Sequence, residues 1–389
     1  MEPIPTDLII EIFSRLPAKS IGRFRCLSKQ WCLILQSPDF TELFRSCARP
    51  RLLFAVEREG SWSFFSSPQS SSSSLVLTAD FHCGISKVES RFTCSYTSGL
   101  FYFSDLRIPN VDMSLVFNPI TGQYVRLPYV EMLRKSRGFL GFDPIEKVFK
   151  VLVETYPFCS DRDHHEVLTL GTGELTWRKK KIDCPPYFRS LCEGICINGV
   201  LYYLVCSVFD LPNDVVCFDL RSEQFKLVVA DCFDDPKTTK LVNYKGKLGG
   251  INFDYGKSDG MDTLELCLWV LEDVERQEWV NYVYTLPETK LIDNPFNVSV
   301  GGVTATGEIV LAMNYTYKPY YVFYFNPERN TLQSVEIQGF GADLEVGMYR
   351  GKVRAFVDHV EDLSVDDSVQ LKSSISANPV KCLSSNCEE

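Results

Sequence analysis

The sequence lacks most of the residue patterns on which enzyme active sites are built. Only four of its 389 residues are histidines, and no two cysteines stand in a Cys-x-x-Cys spacing. It has no glycine-rich phosphate loop, no His-Glu-x-x-His and no Gly-x-Ser-x-Gly motif. We therefore expect no metal site, no cofactor and no catalytic residues, and we predict that the protein is not an enzyme.

Long apolar runs are also missing. The longest, Val200–Cys206, is far shorter than the ~20 residues that span a bilayer, and Met1–Pro5 lacks the basic start and apolar core of a signal peptide. We therefore expect no membrane association and a cytoplasmic or nuclear location. The 15 cysteines fit a reducing compartment, and those within apolar runs are expected to fill the core.

An excess of positive charge is absent as well. The net charge is −10, and such an acidic chain is a poor general binder of nucleic acid. The charge is unevenly distributed, because residues 1–50 hold seven basic and five acidic side chains whereas the remainder carries a balance of −12. The chain therefore divides into two parts of opposite sign.

The first fifty residues have the pattern of short helices. Thr6-Asp7 after Pro5 is typical of a helix start, and apolar residues from Leu8 to Leu16 then recur at helical spacing. Pro17 ends this element, Ala18–Leu27 forms a second one, and Ser28 can cap a third. Ser37-Pro38 predicts the start of a fourth helix.

This helical segment has more apolar residues than it can bury alone. A unit of about 45 residues seldom supports its own core, and Ile10 even lies off the main apolar stripe of its helix. Either the surplus apolar surface binds a partner protein, or the helices dock onto the rest of the chain. The residues alone favour neither alternative.

From Arg51 onwards the sequence changes to short strands that repeat. Ile195–Val228 illustrates one cycle, in which four apolar runs are separated by turn residues such as Asn198-Gly199. The aromatic content of 13% is typical of strands. Equivalent turn glycines recur at intervals of one or two periods of about 45–50 residues, as in propeller blades: Gly99, Gly199, Gly246, Gly307 and Gly351.

We therefore predict an all-β propeller of about six blades. We expect Arg51–Glu57 and Ser61–Ser66 to complete one blade with Val346–Tyr349 and Val353–Val357, so that strands from both ends of the domain close the ring and leave no exposed edge. Residues 361–389 are rich in serine and acidic residues, and we expect a disordered tail there.

Alternation within the blades separates short turns from long loops. The connections between the second and third strands fall on one face of the ring, and they are the longer and more varied ones: 105–113, 156–165, 208–214, 254–262 and 315–320. Binding residues concentrate on such loops, and Tyr and Arg are frequent interface anchors. For any single loop residue, simple exposure without function is the alternative. The candidate target-binding residues are Arg107, Tyr156, Phe158, Arg162, His164, Phe209, Tyr255, Lys257, Tyr315, Tyr317 and Tyr320.

The helical segment resembles an F-box of the plant type. The resemblance is carried by Pro-Thr-Asp-Leu-Ile at residues 5–9, Arg-Leu-Pro at 15–17 and Cys-Leu-Ser-Lys-Gln-Trp at 26–31. Ile4 and Ile21 depart from the usual Leu and from the usual Leu or Val, but both changes nearly conserve volume.

The second part resembles the F-box-associated domain of plant F-box proteins, which is related to kelch-type propellers. Val116–Gly122 and Val216–Leu220 are similar to its recurring strand–turn motifs. The expected organisation is thus an F-box over residues 1–46, a propeller over 51–358 and the tail over 361–389.

The resemblance implies a substrate-recognition subunit of an SCF-type ubiquitin ligase. The F-box would bind a Skp-family adaptor, and through it a cullin, while the propeller would recruit a target protein for ubiquitination. It implies that the surplus apolar surface is a partner surface. The positions that match the adaptor-binding motif are Pro5, Leu8, Ile9, Ile12, Leu16, Pro17, Ile21, Leu27 and Trp31.

Two other classes of function stay open at this point. The protein could bind the adaptor as a scaffold without directing degradation. Alternatively, the propeller could be a ligand-binding module or an enzyme whose helical start serves only packing.

Overall fold

The structure, a computed structural model, describes most of the chain. The described residues are 5–70, 76–85, 89–90, 94–108, 111–130, 137–154, 164–181, 188–190, 193–207, 213–233, 238–258, 261–286, 298–340, 350–363, 365, 369–371 and 373–374.

Four short helices form the N-terminal unit, as predicted. They are α1 (Thr6–Phe13), α2 (Ala18–Arg25), α3 (Lys29–Leu35) and α4 (Pro38–Cys47). The Ser37 hydroxyl accepts a hydrogen bond from the Phe40 amide at 3.2 Å, which caps α4. Ser28 precedes α3 at the expected position, but its side chain makes no capping hydrogen bond.

The rest of the described chain is built from short strands. In chain order these are β1 (Arg51–Arg58), β2 (Ser61–Pro68), β3 (Val76–Thr78), β4 (Asp80–Ile85), β5 (Glu89–Ser90), β6 (Cys94–Thr97), β7 (Leu100–Ile108), β8 (Val111–Phe117), β9 (Gln123–Arg126), β10 (Gly138–Asp143), β11 (Val148–Glu154), β12 (His164–Thr169), β13 (Arg178–Lys181), β14 (Phe188–Ser190), β15 (Ile195–Ile197), β16 (Val200–Ser207), β17 (Asp214–Asp219), β18 (Phe225–Val229), β19 (Lys240–Tyr244), β20 (Lys247–Ser258), β21 (Met261–Asp273), β22 (Glu278–Leu286), β23 (Val298–Val303), β24 (Ile309–Met313), β25 (Tyr320–Asn326), β26 (Thr331–Gln338), β27 (Lys352–His359) and β28 (Ser373–Ser374).

These strands form six sheets, antiparallel except for the parallel pair of β26 and β3, which confirms the propeller. Blade 1 has the order β27-β1-β2-β4, blade 2 contains β5 to β9, and blade 3 runs β10 to β13. Blade 4 contains β14 to β18, blade 5 runs β19 to β22, and blade 6 runs β23 to β26. The outer edges of two blades gain a further strand, because β28 pairs with β9 and β3 pairs with β26.

Four of the five predicted turn glycines join the first and second strands of blades 2, 4, 5 and 6. Gly99, Gly199, Gly246 and Gly307 all have positive φ angles between 83° and 88°. Glycine reaches this region without the steric cost that a Cβ atom imposes. The fifth, Gly351, directly precedes β27 and does not adopt this left-handed conformation.

Strands from both ends of the domain close the ring, as predicted, but the number of strands from each end differs from the prediction. The C-terminal strand β27 pairs antiparallel with β1, where Leu53 faces Phe356 and Val56 faces Val353. Blade 1 takes its fourth strand from β4, which pairs with β2, so the N-terminal side contributes three strands rather than two. The predicted strand Val346–Tyr349 lies outside the described residues.

Two predicted long loops are instead the ends of strand pairs. The ladder of β7 and β8 continues to Ile108 and Val111, and that of β20 and β21 continues to Ser258 and Met261. The predicted loops at 105–113 and 254–262 therefore begin and end within paired strands. Backbone hydrogen bonds between strands form there although the sequence has no continuous apolar pattern.

The prediction of a disordered tail is wrong for its first part. Val365, Val369 and Leu371 are buried, and β28 pairs with β9 of blade 2. These three apolar residues are too few to give a periodic signal in a polar, serine-rich segment, and they pack between blades 2 and 3. Residues 375–389 lie outside the described part of the chain.

The hydrophobic core lies between neighbouring blades. Six clusters of buried side chains are present among the described residues, and each fills one blade interface. Between blades 3 and 4, for example, Phe139 stacks on Tyr203 with ring centroids 4.5 Å apart. Each blade is therefore stabilised chiefly by its two neighbours.

A buried carboxylate also joins blades 3 and 4. Glu223 forms ion pairs with Lys150 at 2.8 Å, with Arg178 at 2.7 Å and with Lys180 at 2.8 Å. Burial alone would raise the pKa of Glu223, but the hydrogen bonds from Arg178, Lys150 and Lys180 outweigh burial and lower the pKa to about 2.

We predict that Glu223→Gln destabilises the propeller by about 3 kcal/mol, because it leaves the buried Lys150 ammonium without its anionic partner. The depressed pKa of Glu223 adds stability above its ordinary value of 4.5, and this contribution is lost as pH falls towards 2. Urea unfolding between pH 7 and pH 3 should show this acid loss in the wild type and a weaker one in the variant.

The control for this experiment is Glu275→Gln, which removes an exposed partner of Lys226. Exposed pairs contribute little, so its unfolding midpoint should match that of the wild type. Equal midpoints for the Glu223 and Glu275 variants would contradict the assigned role of the buried carboxylate.

Candidate functional site

The helical unit sits on one face of the ring. We call this the short-turn face, because it carries the turns between first and second strands, such as Ser98-Gly99, and between third and fourth strands. Residues of α2 and the blade 2 turns at 98–99 and 118–123 line a common cavity of about 440 Å³. Lys19 of α2 also donates a hydrogen bond to the His82 carbonyl in β4 at 3.3 Å.

Part of the apolar surface of the helices packs onto the chain itself. Phe13, Leu35 and Phe40 are buried within a cluster that continues into the interface of blades 1 and 2. The alternative that the helices dock onto the rest of the chain is therefore correct for this inner side.

The other part of that apolar surface faces outwards. Leu8, Ile12 and Leu27 expose 54%, 55% and 69% of their surface, and Pro5 and Pro17 are exposed as well. Large aliphatic side chains in this number on one small unit are typical of a protein-binding surface. The exposed apolar residues thus leave the partner-surface alternative open, although the inner side of the helices docks onto the chain.

Sequence reasoning missed Leu33 of α3, which has the largest exposed fraction of these aliphatic residues at 75%. It lies in the run Cys32-Leu33-Ile34-Leu35. Because all four positions are apolar, the pattern does not show which of them faces solvent.

The remaining predicted adaptor-binding residues point inwards to different degrees. Ile9, Leu16 and Trp31 are half-buried against the core cluster. Ile21 is fully buried, so the expectation that it contributes to a binding surface is wrong. It matches the family motif because the module needs it for its own packing.

Trp31 belongs to an aromatic triad. Its ring centroid lies 5.3 Å from that of Phe13 and 5.6 Å from that of Phe24, and the two phenylalanines are 4.9 Å apart. Such edge and tilted contacts stabilise beyond their buried area. The triad therefore connects α1, α2 and α3.

We predict that Trp31→Ala weakens the helical unit by about 2 kcal/mol, since it removes a large half-buried ring. Leu27→Ala, at a mostly exposed position, should change stability by less than about 0.5 kcal/mol. Hydrogen exchange of the α1–α3 amides in the full chain measures both. Equal protection in the two variants would contradict the distinction between packing and surface residues.

Most predicted target-binding residues lie outside what the structure describes. Tyr156, Phe158, Arg162 and Phe209 fall outside the described residues. For four others only the backbone is described. These are Arg107 on β7, His164 on β12, and Tyr255 and Lys257 on β20.

Three predicted target-binding tyrosines lie in or beside the connection of residues 314–319 in blade 6. Tyr315 is 40% exposed, and the Arg350 guanidinium lies 3.9 Å from the ring centroid of Tyr317, within cation–π distance. Tyr320, by contrast, is 2% exposed and donates a hydrogen bond to the Met313 carbonyl at 2.9 Å. Its place in the target-binding set is wrong, because it starts β25 and fills the core.

The exposed Tyr315 marks the long-loop face, which we define by the connections between second and third strands. Tyr315 bridges to Lys352 at the start of β27, and the Thr316 amide donates a hydrogen bond to the Gly351 carbonyl at 2.9 Å. These contacts fix the loop to the neighbouring blade. Because strands alternate in direction, this face is opposite the one that carries the helices.

A cavity of about 380 Å³ lies at the helical end of the central channel, lined in part by β6, β15, β19, β23 and β27. Glu193 forms ion pairs there with Lys240 at 2.7 Å and with Arg354. These three residues come from blades 4, 5 and 1. The channel therefore contains charged groups that are already paired.

His165, on β12, packs inside the propeller. Its Nε2 atom lies 2.9 Å from the Tyr203 hydroxyl and its ring lies beside Phe225. Burial lowers the pKa of His165 to about 3. A neutral imidazole packed between blades 3 and 4 serves structure rather than ligand binding.

Two features are absent from the part of the chain that the structure describes. None of the described helices has the length and apolarity needed to cross a bilayer. Within the same residues, no three His, Cys, Asp or Glu side chains come together as metal ligands would.

Solved structures resemble this chain only at a general level. An exo-β-1,3-galactanase from Phanerochaete chrysosporium has a TM-score of 0.33 and 10% identity over 73% of this chain and 66% of the other. Aleuria aurantia lectin has a TM-score of 0.34 and 9% identity over 75% of this chain and 97% of the other. Similarities this low carry no information on ligand or activity.

Family models match both parts of the chain. The F-box domain model matches residues 2–43, and the F-box associated beta propeller domain model matches residues 51–360. F-box protein At3g57590 of Arabidopsis thaliana is 58% identical over 400 residues, covering 100% of this chain and 97% of the relative. F-box only protein 12 of the same plant is 47% identical, covering 95% and 84%. The chain therefore belongs to the family of plant F-box proteins with an F-box-associated β-propeller.

Proposed function

We propose that this protein is the substrate-recognition subunit of an SCF-type ubiquitin ligase. An F-box joined to a propeller is the domain arrangement of such receptors in general. In this proposal the F-box binds a Skp-family adaptor and thereby a cullin, and the propeller recruits a target protein. The observation that carries the proposal is the outward apolar set Leu8, Ile12 and Leu27 on a unit whose inner side is already packed.

The mechanism is proximity. Binding of the target and the adaptor to one rigid molecule raises the effective concentration of target lysines near a ubiquitin-conjugating enzyme. The protein needs no catalytic residue for this role, and we propose that it is a non-catalytic subunit that uses no cofactor. Its free thiols, such as the buried Cys83 and Cys217, suit the cytoplasmic or nuclear location that we propose.

We predict that Leu8→Asp combined with Ile12→Asp reduces affinity for a Skp-family adaptor at least about 100-fold, because carboxylates replace aliphatic anchors at the interface. Both side chains are more than half exposed, so the fold should be unaffected. Calorimetric titration of the purified adaptor into the full chain measures this loss.

The control is Ile145→Asp, at an exposed aliphatic residue of blade 3 with 73% exposure. It should bind the adaptor as the wild type does. Adaptor binding that survives the double substitution would contradict the proposed binding surface, and a wild-type chain that fails to bind any Skp-family adaptor would contradict the function itself.

For the target, we propose the long-loop face around Tyr315 and Tyr317, since aromatic and Arg side chains on anchored loops suit a protein partner better than nucleic acid. We predict that Tyr315→Ala with Tyr317→Ala loses a defined set of proteins in affinity purification from plant cells while adaptor recovery is unchanged. Arg329→Ala, on a short turn of blade 6, is the control.

The same purification distinguishes degradation from scaffolding. Proteins lost with the tyrosine variant but kept with the Leu8/Ile12 variant are target candidates. If they accumulate when the gene is deleted and when the proteasome is inhibited, the protein directs degradation. Unchanged levels in both conditions would instead favour the scaffold alternative.

A further inference from the structure

A C-terminal segment beyond the closure strand joins the F-box to the ring. We call residues 360–371 the strap; the structure describes Val360–Leu363, Val365 and Val369–Leu371 of it. The propeller family model ends at residue 360 and the F-box model at residue 43. From Glu361 onwards, the strap therefore belongs to neither matched domain.

The first strap contact completes the N-terminus of α2. The backbone amide of Ala18, the first residue of the helix, donates a hydrogen bond to Glu361 Oε2 at 2.6 Å. Pro17 occupies the N-cap position and makes no side-chain capping bond. A carboxylate is favourable at a helix N-terminus because it satisfies a free amide and complements the helix dipole. Glu361, although distant in sequence, thus provides the helix cap that the side chain of Pro17 cannot provide.

Two further strap residues contact the F-box. Asp362 lies 3.8 Å from the Arg45 guanidinium in the last turn of α4. Leu363 is 8% exposed and belongs to the cluster that contains Phe13 and Phe40 of the F-box. Consecutive strap residues therefore contact both α2 and α4 and also enter the shared core.

The rest of the strap is fixed to the ring. Val365, Val369 and Leu371 are buried in the cluster between blades 2 and 3. Gln370 donates a hydrogen bond to the Gly171 carbonyl of blade 3 at 3.3 Å, and β28 follows on the outer edge of blade 2. One segment thus contacts the F-box at one end and blades 2 and 3 of the propeller at the other.

A cavity separates part of α2 from the ring. The cavity of about 440 Å³ lies between α2 and the turns of blade 2, and strap residues, among them Val360 and Leu363, form its third wall. Without the strap this side of the F-box would face an open gap. The strap therefore restricts the tilt of the F-box across that gap.

We propose that the strap sets the orientation of the F-box relative to the long-loop face, with Glu361 as its main positioning residue. This inference rests on the proposed function, because the orientation matters when an adaptor is bound at one end and a target at the other. If the geometry between the adaptor end and the target end is fixed, only lysines at one distance and direction from the conjugating enzyme can be modified.

The test compares the wild type with Glu361→Ala and Glu361→Gln in the full chain. Hydrogen exchange of peptides covering 17–27 should rise about tenfold in Glu361→Ala, as expected for loss of a charge-assisted hydrogen bond. It should rise less in Glu361→Gln, which keeps an acceptor. Peptides covering β19 and β20 should be unchanged. Small-angle scattering should show a broader distribution of distances for Glu361→Ala.

The functional readout uses the complex with adaptor, cullin and conjugating enzyme, in which the receptor's own lysines are modified. Glu361→Ala should spread ubiquitin over more propeller lysines while adaptor affinity stays within about twofold, since the outward residues are untouched. Glu328→Ala, an exposed partner of Lys245 on blade 6, is the control and should match the wild type in every measurement.

Unchanged exchange in 17–27 together with an unchanged scattering distribution in Glu361→Ala would overturn the proposal. An unchanged pattern of modified lysines despite greater mobility of the F-box would overturn its functional part. If the wild type binds no adaptor, the proposed function fails, and exchange and scattering of the free chain still decide whether the strap orients the F-box.

Discussion

The antiparallel ladder between β27 and β1 is the interaction on which the rest of the structure depends. Propeller blades bury their apolar side chains against neighbours, so an open ring would leave two blade faces without a partner. Pairing of the last strand with the first gives every blade two neighbours. It also brings Arg354 of β27 into the channel, where it pairs with Glu193 of blade 4. Glu193 also pairs with Lys240 of blade 5.

Closure also determines where the F-box can lie. Because β27 ends at the short-turn face, the chain that follows it emerges beside α2 and α4. The inner side of the F-box is then packed, and its outward aliphatic residues are left for a partner. The F-box is too small to support a core of its own. It shares a core with the ring and still keeps an exposed apolar surface.

The sequence predicted the repeating and local features well. Turn glycines such as Gly199 encode a tight turn whose backbone only glycine adopts easily, so the blades could be counted. Helix bounds followed from Pro17 and Ser37-Pro38. What could not be predicted depends on contacts between distant residues. The burial of Ile21, the role of Tyr320 in the core and the packing of Val365 and Leu371 arise only once the ring has closed.

The target-binding side was the least predictable part. Loop residues such as Tyr315 follow no repeating pattern, so the sequence indicates candidate residues but not which of them lie close together. Most of the residues in the expected loops at 105–113 and 254–262 lie in paired strands that reach Ile108 and Val111 or Ser258 and Met261, because backbone pairing does not require a continuous apolar side-chain pattern.

The position of the closure strand and the strap has a consequence for biosynthesis. Synthesis proceeds from the F-box towards β27 and the strap, so the F-box emerges long before the segments against which it docks. Until then both the outward and the inward apolar sides of the F-box are open to solvent, along with the unpaired edge of β1. Exposed apolar surface and unpaired strand edges are the features that make incompletely folded chains prone to aggregation, so pairing of β27 with β1 removes both at once.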